Sequence, residues 1–293
     1  MKNILIAGGT GLVGSKLVSL LKEKGHTVSV LSRNPKGEGQ FFWNPAEGKI
    51  DESRLKEVQV LINLSGAGIA DKRWSTARKK ELHQSRIGTN TFLFQKASEM
   101  PNLEQFITSS GINAYGFEDP EKCFVEDDSF GKDYISRLVK DWEASADLFQ
   151  GACKVAKIRT AVVLAKEGGA LQKMLPPVKF GIGSALGTGD QTMCWIHADD
   201  LSRLFAHVIE FQLDGAYNAL AGTCSNLEFT KNLAKVLQKP FWFPAVPAFM
   251  MQLLFGEMSI ILLKGLKASN EKIKSTGFEF LYTDVKVALK TVV

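Results

Sequence analysis

The chain has 293 residues, 45% of them hydrophobic and 23% charged, which is enough apolar material for one large or two modest domains and too much for disorder. A net charge of +5 is too small to mark a nucleic-acid binder, although it suits an anionic small ligand. Four cysteines (Cys123, Cys153, Cys194, Cys224) stand far apart with no C-x-x-C pair, which argues against a zinc site or disulfide framework and for free thiols in a reducing cytoplasm.

The chain begins with a β-branched run, Ile4 to Ala7, that reads as a buried strand and leaves no room for a signal peptide. A helix with apolar residues at Leu12, Val13, Leu17, Leu20 and Leu21 follows at once. Gly8, Gly11 and Gly14 span the turn between them at G-x-x-G-x-x-G spacing. Such a turn uses one glycine to bend, one to let a pyrophosphate reach the backbone and one to let helix and strand pack closely. The helix N-terminus offers free N–H groups and a positive dipole end to the phosphates. A second strand, Thr27 to Leu31, ends in Ser32-Arg33-Asn34. An acid at that tip would hold the 2′-hydroxyl of NAD; an arginine fork suits a 2′-phosphate instead, so the expected cofactor is NADP.

Phe41 to Trp43 reads as a short third strand and Val58 to Leu64 as a fourth, ending in the small residues Ser65-Gly66-Ala67-Gly68. The carboxyl end of a parallel strand is where a cofactor lies. A long helix is expected from Ser75 to about Met100; its basic cluster (Lys72, Arg73, Arg78, Lys79, Lys80) reads as a solvated face rather than a nucleic-acid site, and Glu81 and Arg86 face the cofactor. Gln105 to Ser109 is a fifth strand, followed by Ser110 to Gly116 and an acidic loop over Phe117–Lys132. Asp133 caps a helix to about Phe149, and Lys154–Arg159 with Ala161–Leu164 make the next strand. Alternating strands and helices predict an α/β fold: a Rossmann-type, doubly wound parallel sheet.

Beyond Ala165 glycines crowd into Gly168-Gly169 and Gly181–Gly189. Trp195 to Leu201 returns to order and opens a helix through Ile209. A strand near Ala216–Leu220, helices near Leu227–Leu237 and Pro247–Leu254, and a last helix from Asp284 follow. The expected division is a dinucleotide-binding domain over 1–166, to which 195–211 return, and a smaller C-terminal substrate-side domain of 167–194 and 212–293. The most apolar late stretch, Val246 to Leu263, is interrupted by Gln252, Gly256 and Glu257 and reads as two packed helices, not a membrane span.

The Gly8–Gly14 turn, Ser109-Ser110 with Tyr115-Gly116, and Trp195-Ile-His-Ala-Asp-Asp-Leu201 resemble the extended short-chain dehydrogenase/reductase superfamily. Ile62 to Trp74, Asp141-Trp-Glu143, Phe255-Gly-Glu-Met258 and Gly277-Phe278 resemble its atypical "epimerase family" branch, NAD(P)-dependent and sugar-nucleotide epimerase-like, with a small C-terminal domain of unknown function. The resemblance implies cofactor contacts at Thr10, Gly11, Leu12, Val13, Ser32, Arg33, Leu64, Ser65, Glu81, Arg86 and Val163. Gly66 and Ser109, at strand tips, complete that set.

Superfamily members that move hydride use a Ser or Thr, a Tyr and a Lys four residues after the Tyr. Ser110 takes the serine place and Tyr134 the tyrosine place, but position 138 is Leu138. A tyrosine begins near pKa 10, so acting as a base at neutral pH takes roughly 4 kcal/mol of electrostatic help. Arg137 is a near neighbour on the helix, Lys140 points elsewhere, and Tyr115 is an alternative acid or base. His197 with Asp199 and Asp200 reads as a helix start in which the aspartates cap, not as a metal site. Trp74, Trp195 and Phe180 are candidates to line a pocket, with core packing the alternative. Two functions remain open: an NADP-dependent oxidoreductase or epimerase acting on a small, sugar-nucleotide-like substrate, and a non-catalytic NADP(H)-binding sensor or scaffold. No nucleic-acid or membrane partner is expected, and homo-oligomerisation stays open.

Overall fold

The computed structural model describes residues 1–293. The apolar run that opens the chain is β1 (Asn3–Ala7), buried from Ile4 onward, as suits a central parallel strand covered on both faces. After it come α1 (Leu12–Glu23), β2 (Thr27–Ser32), β3 (Gln40–Asn44), β4 (Lys49–Ile50) and β5 (Val60–Asn63). Helices α2 (Thr76–His83) and α3 (Thr89–Gln95) lead to β6 (Gln105–Gly111), β7 (Cys123–Phe124), α4 (Tyr134–Ala146) and β8 (Lys154–Thr160). Then come β9 (Val162–Leu164), α5 (Gly169–Lys179), β10 (Thr192–His197), α6 (Ala198–Glu210), β11 (Gly215–Ala219) and β12 (Gly222–Ser225). The chain ends with α7 (Asn226–Val236), α8 (Ala248–Phe255), α9 (Ile260–Leu263), β13 (Lys267–Ala268), α10 (Glu271–Lys274) and α11 (Val285–Val292).

The main sheet has the order β11-β8-β6-β5-β1-β2-β3-β4, parallel except for the β3–β4 edge. Ile4 pairs with Val28 on one side and Val60 on the other, so the strand order reverses at β1. A crevice opens beyond the carboxyl ends of the strands at such a reversal. Helices α1 and α6 cover one face through Leu17, Leu21, Leu201, Leu204 and Phe205. On the other face Phe92 and Leu93 of α3 and Ala146 of α4 pack with Phe149 over Leu5, Leu61 and Phe106. The expected doubly wound α/β architecture is therefore present.

Four details differ from the expectations drawn from sequence. The segment 154–164 is two strands: Ala161 N donates to Ala219 O at 3.1 Å, after which β9 leaves the main sheet and pairs with β10 in a small sheet of order β12-β10-β9. The strand at 215–219 belongs to the main sheet, parallel to β8, and not to the C-terminal part. The expected long helix is interrupted by a π turn at Gln84–Gly88, which adds a residue to the turn and re-aims α3. The acidic loop contains β7, which pairs with β13.

Ser75, Asp133, Ser225 and Asp284 cap their helices, each accepting from the N–H three residues on. At α6 the aspartates do not cap. His197 Nδ1 accepts from Asp199 N at 3.1 Å, because the fully buried Asp200 is turned to the tail, accepting from Leu281 N and Tyr282 N, both at 2.9 Å, and pairing with Arg203 at 2.8 Å.

Gly14 is the tightest of the turn glycines. A methyl group there would strike Gly8 O and lie 2.7 Å from Gly9 Cα. Gly14→Ala is expected to cost about 1–3 kcal/mol or more by overpacking. Gly37→Ala, with open space around it and no left-handed backbone, should stay within about 0.5 kcal/mol of the parent. Urea unfolding of the two variants checks this, and equal midpoints would show that the close α1–β1 approach is not under strain.

Candidate functional site

Gly8 has φ +81° and lies against the backbone of Leu64, where a Cβ would come 2.9 Å from the Leu64 carbonyl carbon. The first turn thus seats directly on the end of β5. Gly11 is the N-cap of α1 and supplies no capping side chain, and no acid stands in the first turn. The N–H groups of Leu12, Val13 and Gly14 therefore keep their affinity for an anion. Thr10 and Gly11 are exposed and Leu12 and Val13 half-buried at the crevice. Ser32 ends β2, its Oγ accepting from Asn34 N at 3.2 Å, and Arg33 is exposed beside it with no ion pair.

The end of β5 is pinned from behind. Buried Asn63 accepts from Ser65 N at 2.9 Å and donates to Thr89 Oγ1 and Asn90 Oδ1 of α3 at 3.0 and 2.7 Å. Ser65 Oγ is buried without a partner, and Leu64 is half-buried. Gly66 approaches Arg86 so closely that a Cβ would be 3.2 Å from the guanidinium carbon. The π turn delivers Arg86 there. Its guanidinium is 5% exposed, donates to Ala67 O at 2.9 Å and lies 5.0 Å over Trp142, with no carboxylate partner. Burial pulls its pKa down to about 10. Glu81 is exposed and pairs with Arg78 at 2.7 Å. Ser109 and Val163 are half-buried, and Val163 meets Leu12 across Gly169, where a Cβ would lie 3.2 Å from Leu12 and 3.7 Å from Val163 O.

Ser110, Tyr115 and Tyr134 do not form one group. Ser110, Arg159 and Asn218 occupy one row across β6, β8 and β11. Ser110 Oγ is buried and donates to Glu143 Oε1 at 2.6 Å. Glu143 takes the Arg159 fork through two bonds, 2.8 Å from Nε and 2.9 Å from Nη2. Tyr115 Oη donates to Asn218 Oδ1 at 2.6 Å and accepts from Arg159 at 3.0 Å; burial, against Arg159, pushes its pKa up to about 12. Both hydroxyls are thus hydrogen-bonded within a buried network.

Tyr134 lies elsewhere, edge-on to Trp74 at 5.0 Å, with its hydroxyl buried and unpartnered. Burial raises its pKa, while the Arg86 charge acts the other way. Arg137 is exposed and donates to Lys132 O, and Lys140 is also exposed; the cations near Tyr134 come from elsewhere, Lys79 Nζ lying 4.4 Å over its ring and Arg86 acting on it through charge. Trp195 is core, packed on Gly222, and Phe180 is 82% exposed. A concavity of about 540 Å³ lies at the amino ends of the strands among Asn3, Gln59 and Glu104, opposite these residues.

Glu143, Arg159, Asn218 and Arg78 were not singled out as working residues by sequence. A signal exists: Glu143 falls on the apolar face of α4 and Arg159 in a strand with a buried pattern, places that charges avoid unless paired.

Two family models match the chain: "NAD dependent epimerase/dehydratase family" over residues 4–219, ending with β11, and "Domain of unknown function (DUF1731)" over 246–292. The epimerase family protein SDR39U1 of Mus musculus is 34% identical over 297 residues, covering 99% of either chain. The epimerase family protein YfhF of Bacillus subtilis is 33% identical over 302 residues, covering 99% of this chain and 98% of that one. The crystal structure of human epimerase family protein SDR39U1 (isoform 2) with NADPH matches at a TM-score of 0.90 and 30% identity, covering 99% and 98% of the two chains. No helix is long and apolar enough to cross a membrane.

Removing one member of the buried pair strands the other. Glu143→Gln is expected to cost about 3–5 kcal/mol, and Ser110→Ala about 1 kcal/mol, since the carboxylate keeps both bonds to Arg159. Urea unfolding of both variants checks the order; equal losses would remove the pair from its role as anchor. Because Tyr115 holds its proton more tightly folded than unfolded, its contribution is present below pH 10 and lost as pH rises toward 12. That alkaline loss should shrink in Tyr115→Phe.

Proposed function

The chain belongs to the NAD-dependent epimerase/dehydratase family, and from that premise we propose that it binds NADP(H) across the ends of β1, β2 and β5 and acts as an oxidoreductase or epimerase on a small molecule. The observation that carries the cofactor choice is the tip of β2, where Ser32 and an unpaired Arg33 stand with no acid. The human relative crystallised with NADPH supports the same reading.

The uncapped α1 N-terminus with Gly11 takes the pyrophosphate, and Thr10, Leu12 and Val13 flank it. Ser32 and Arg33 take the 2′-phosphate by charge-assisted hydrogen bonds. Leu64, Ser65 and Gly66 support the middle of the dinucleotide, with the orphaned Ser65 Oγ free to donate. Glu81, Arg86, Ser109 and Val163 close the far side. When bound, the nicotinamide supplies hydride chemistry. Tyr134, with Arg86 as its neighbouring charge, is the proton-handling group this reading assigns, because Ser110 and Tyr115 are spent on the Glu143–Arg159 network. The substrate class that the sequence resemblance implies is sugar-nucleotide-like. Four unbridged cysteines suit a reducing compartment, the cytoplasm.

One observation favours a second reading, a sensor or scaffold that binds NADP(H) without turnover. Leu138 stands where a lysine would complete the usual pair, and the serine of that machinery is locked in an ion-pair network.

Fluorescence titration tests the cofactor. NADPH should bind about ten- to a hundredfold tighter than NADH, and Arg33→Ala should lose most of that difference with NADH affinity unchanged. Equal affinities in the parent would overturn the assignment. Gly11→Val should abolish binding of both dinucleotides with the far-UV spectrum retained, since Gly11 is exposed and its nearest neighbour would be Gly8 O at 3.3 Å. Parent-like binding in that variant would move the pyrophosphate elsewhere.

A further inference from the structure

The loop after β5 is gripped through four successive carbonyls. Arg86 donates to Ala67 O at 2.9 Å, Arg78 to Gly68 O, Trp74 Nε1 to Ile69 O at 3.0 Å and Lys173 Nζ to Ala70 O at 2.7 Å. In a trans peptide the N–H points opposite to the preceding carbonyl, so the N–H groups of Gly68, Ile69 and Ala70 turn away from those donors. None of the three finds a backbone acceptor. Arg78 and Arg86 are 6% and 5% exposed, and the Nε of each is buried without a partner. Buried cations, each with an unpartnered Nε, and a Gly68 N–H that turns to Asp71 favour a negatively charged group at this loop.

The loop already holds one such group. The exposed Asp71 carboxylate lies 2.6 Å from Lys173 Nζ and 3.9 Å from Arg78, over Gly68. The Lys173 hydrogen bond, against partial burial, keeps that carboxyl below the ordinary carboxylate range, and the Gly68 N–H adds to this. The other nearby acids are engaged: Glu81 with Arg78, and Glu257 with Lys79. Neither they nor Asp71 pairs with Arg86.

The geometry points to an anion site on the Gly66–Asp71 loop, in which Lys173, Arg78 and the Gly68 N–H now hold Asp71 and which takes a carboxylate or phosphate of the substrate in its place. The proposal rests on the NADP(H) reading, which assigns the dinucleotide phosphates to α1 and the tip of β2, on the other side of Leu64. It places an acidic group of the substrate at this loop. Lys173 reaches the loop from α5, whose first residue packs on Leu12 of the glycine turn, so one helix touches the cofactor side at its start and the anion site one turn later.

The test titrates inorganic phosphate by calorimetry into the chain alone and into the chain saturated with NADPH. Phosphate should bind in both with similar affinity. Lys173→Gln should weaken it about tenfold, and Asp71→Asn, which removes the internal competitor, should strengthen it severalfold. Both side chains are exposed, so neither variant threatens the fold. Amide resonances of Gly68, Ile69 and Ala70 should shift with phosphate in the parent. Reversal by NADPH of the phosphate-induced shifts at Gly68, Ile69 and Ala70 would assign that anion to the cofactor and overturn the proposal. So would unchanged affinity in both variants, which would mean an adventitious ion only. Failure of NADPH itself to bind would overturn the cofactor reading, and the titration of the unliganded chain would still decide this one.

Discussion

Arg159 and Glu143 meet fork to fork inside the protein, each side chain 4% exposed, and the ends of three strands are arranged around them. Glu143 gathers Ser110 from β6. Arg159 gathers Tyr115 and the carbonyl of Glu126. Tyr115 passes the connection to Asn218 on β11, whose N–H returns to Glu126 Oε1 at 2.8 Å and whose amide reaches Ser269 O at 3.0 Å. Desolvation makes such a pair roughly neutral in net stability, yet very costly to separate. Its effect is to permit one arrangement of α4, β6, β8 and β11. The C-terminal part is fastened to that arrangement through Ser269, and again through Asp200 and the backbone of Leu281 and Tyr282.

That constraint decides what chemistry remains at the crevice. A hydroxyl that donates to a buried carboxylate, or one that bridges an arginine and an asparagine, already directs its proton into the network. What is left consists of backbone N–H groups, cations and one unpartnered tyrosine. The same helix explains why no cation of its own reaches that tyrosine. Ile135, Leu138, Val139 and Trp142 form the buried face of α4, so Arg137 and Lys140 fall on the wet side. The charge comes instead from Lys79 of α2, over the ring, and from Arg86, carried in by the π turn that follows it.

The features legible in the sequence are local ones. The glycine turn is readable because bending, phosphate approach and close packing each demand glycine within seven residues. The caps at Asp133 and Asp284 are readable because a carboxylate reaches an N–H only three residues away. The features that escaped depend on partners distant in sequence. Nothing local to 154–164 says that Ala161 will make the last bond to β11 before β9 departs. Asp200 resembles a cap in sequence and becomes an anchor because the tail, 81 residues on, offers N–H groups to it. Ser110 resembles a catalytic serine until Glu143, 33 residues away, is seen to claim it.

The cover over the crevice is held differently at its root and at its edge. At the root, Trp195, Cys194 and Leu266 belong to the same apolar core as Leu17 and Leu204, and opening there would expose that core. At the edge, Lys173–Asp71 and Lys79–Glu257 are largely exposed pairs, individually weak and screened by salt. An apolar cluster that includes Trp74, Tyr134, Phe255, Met258, Ile260 and Ile261 reinforces them. The free energy of local opening is therefore lowest along the line that joins the β5 loop, α5 and the Phe255–Met258 segment. A cover tied there by ion pairs can exchange the loop's Asp71 carboxylate for that of a ligand without disturbing the Arg159–Glu143 network behind it.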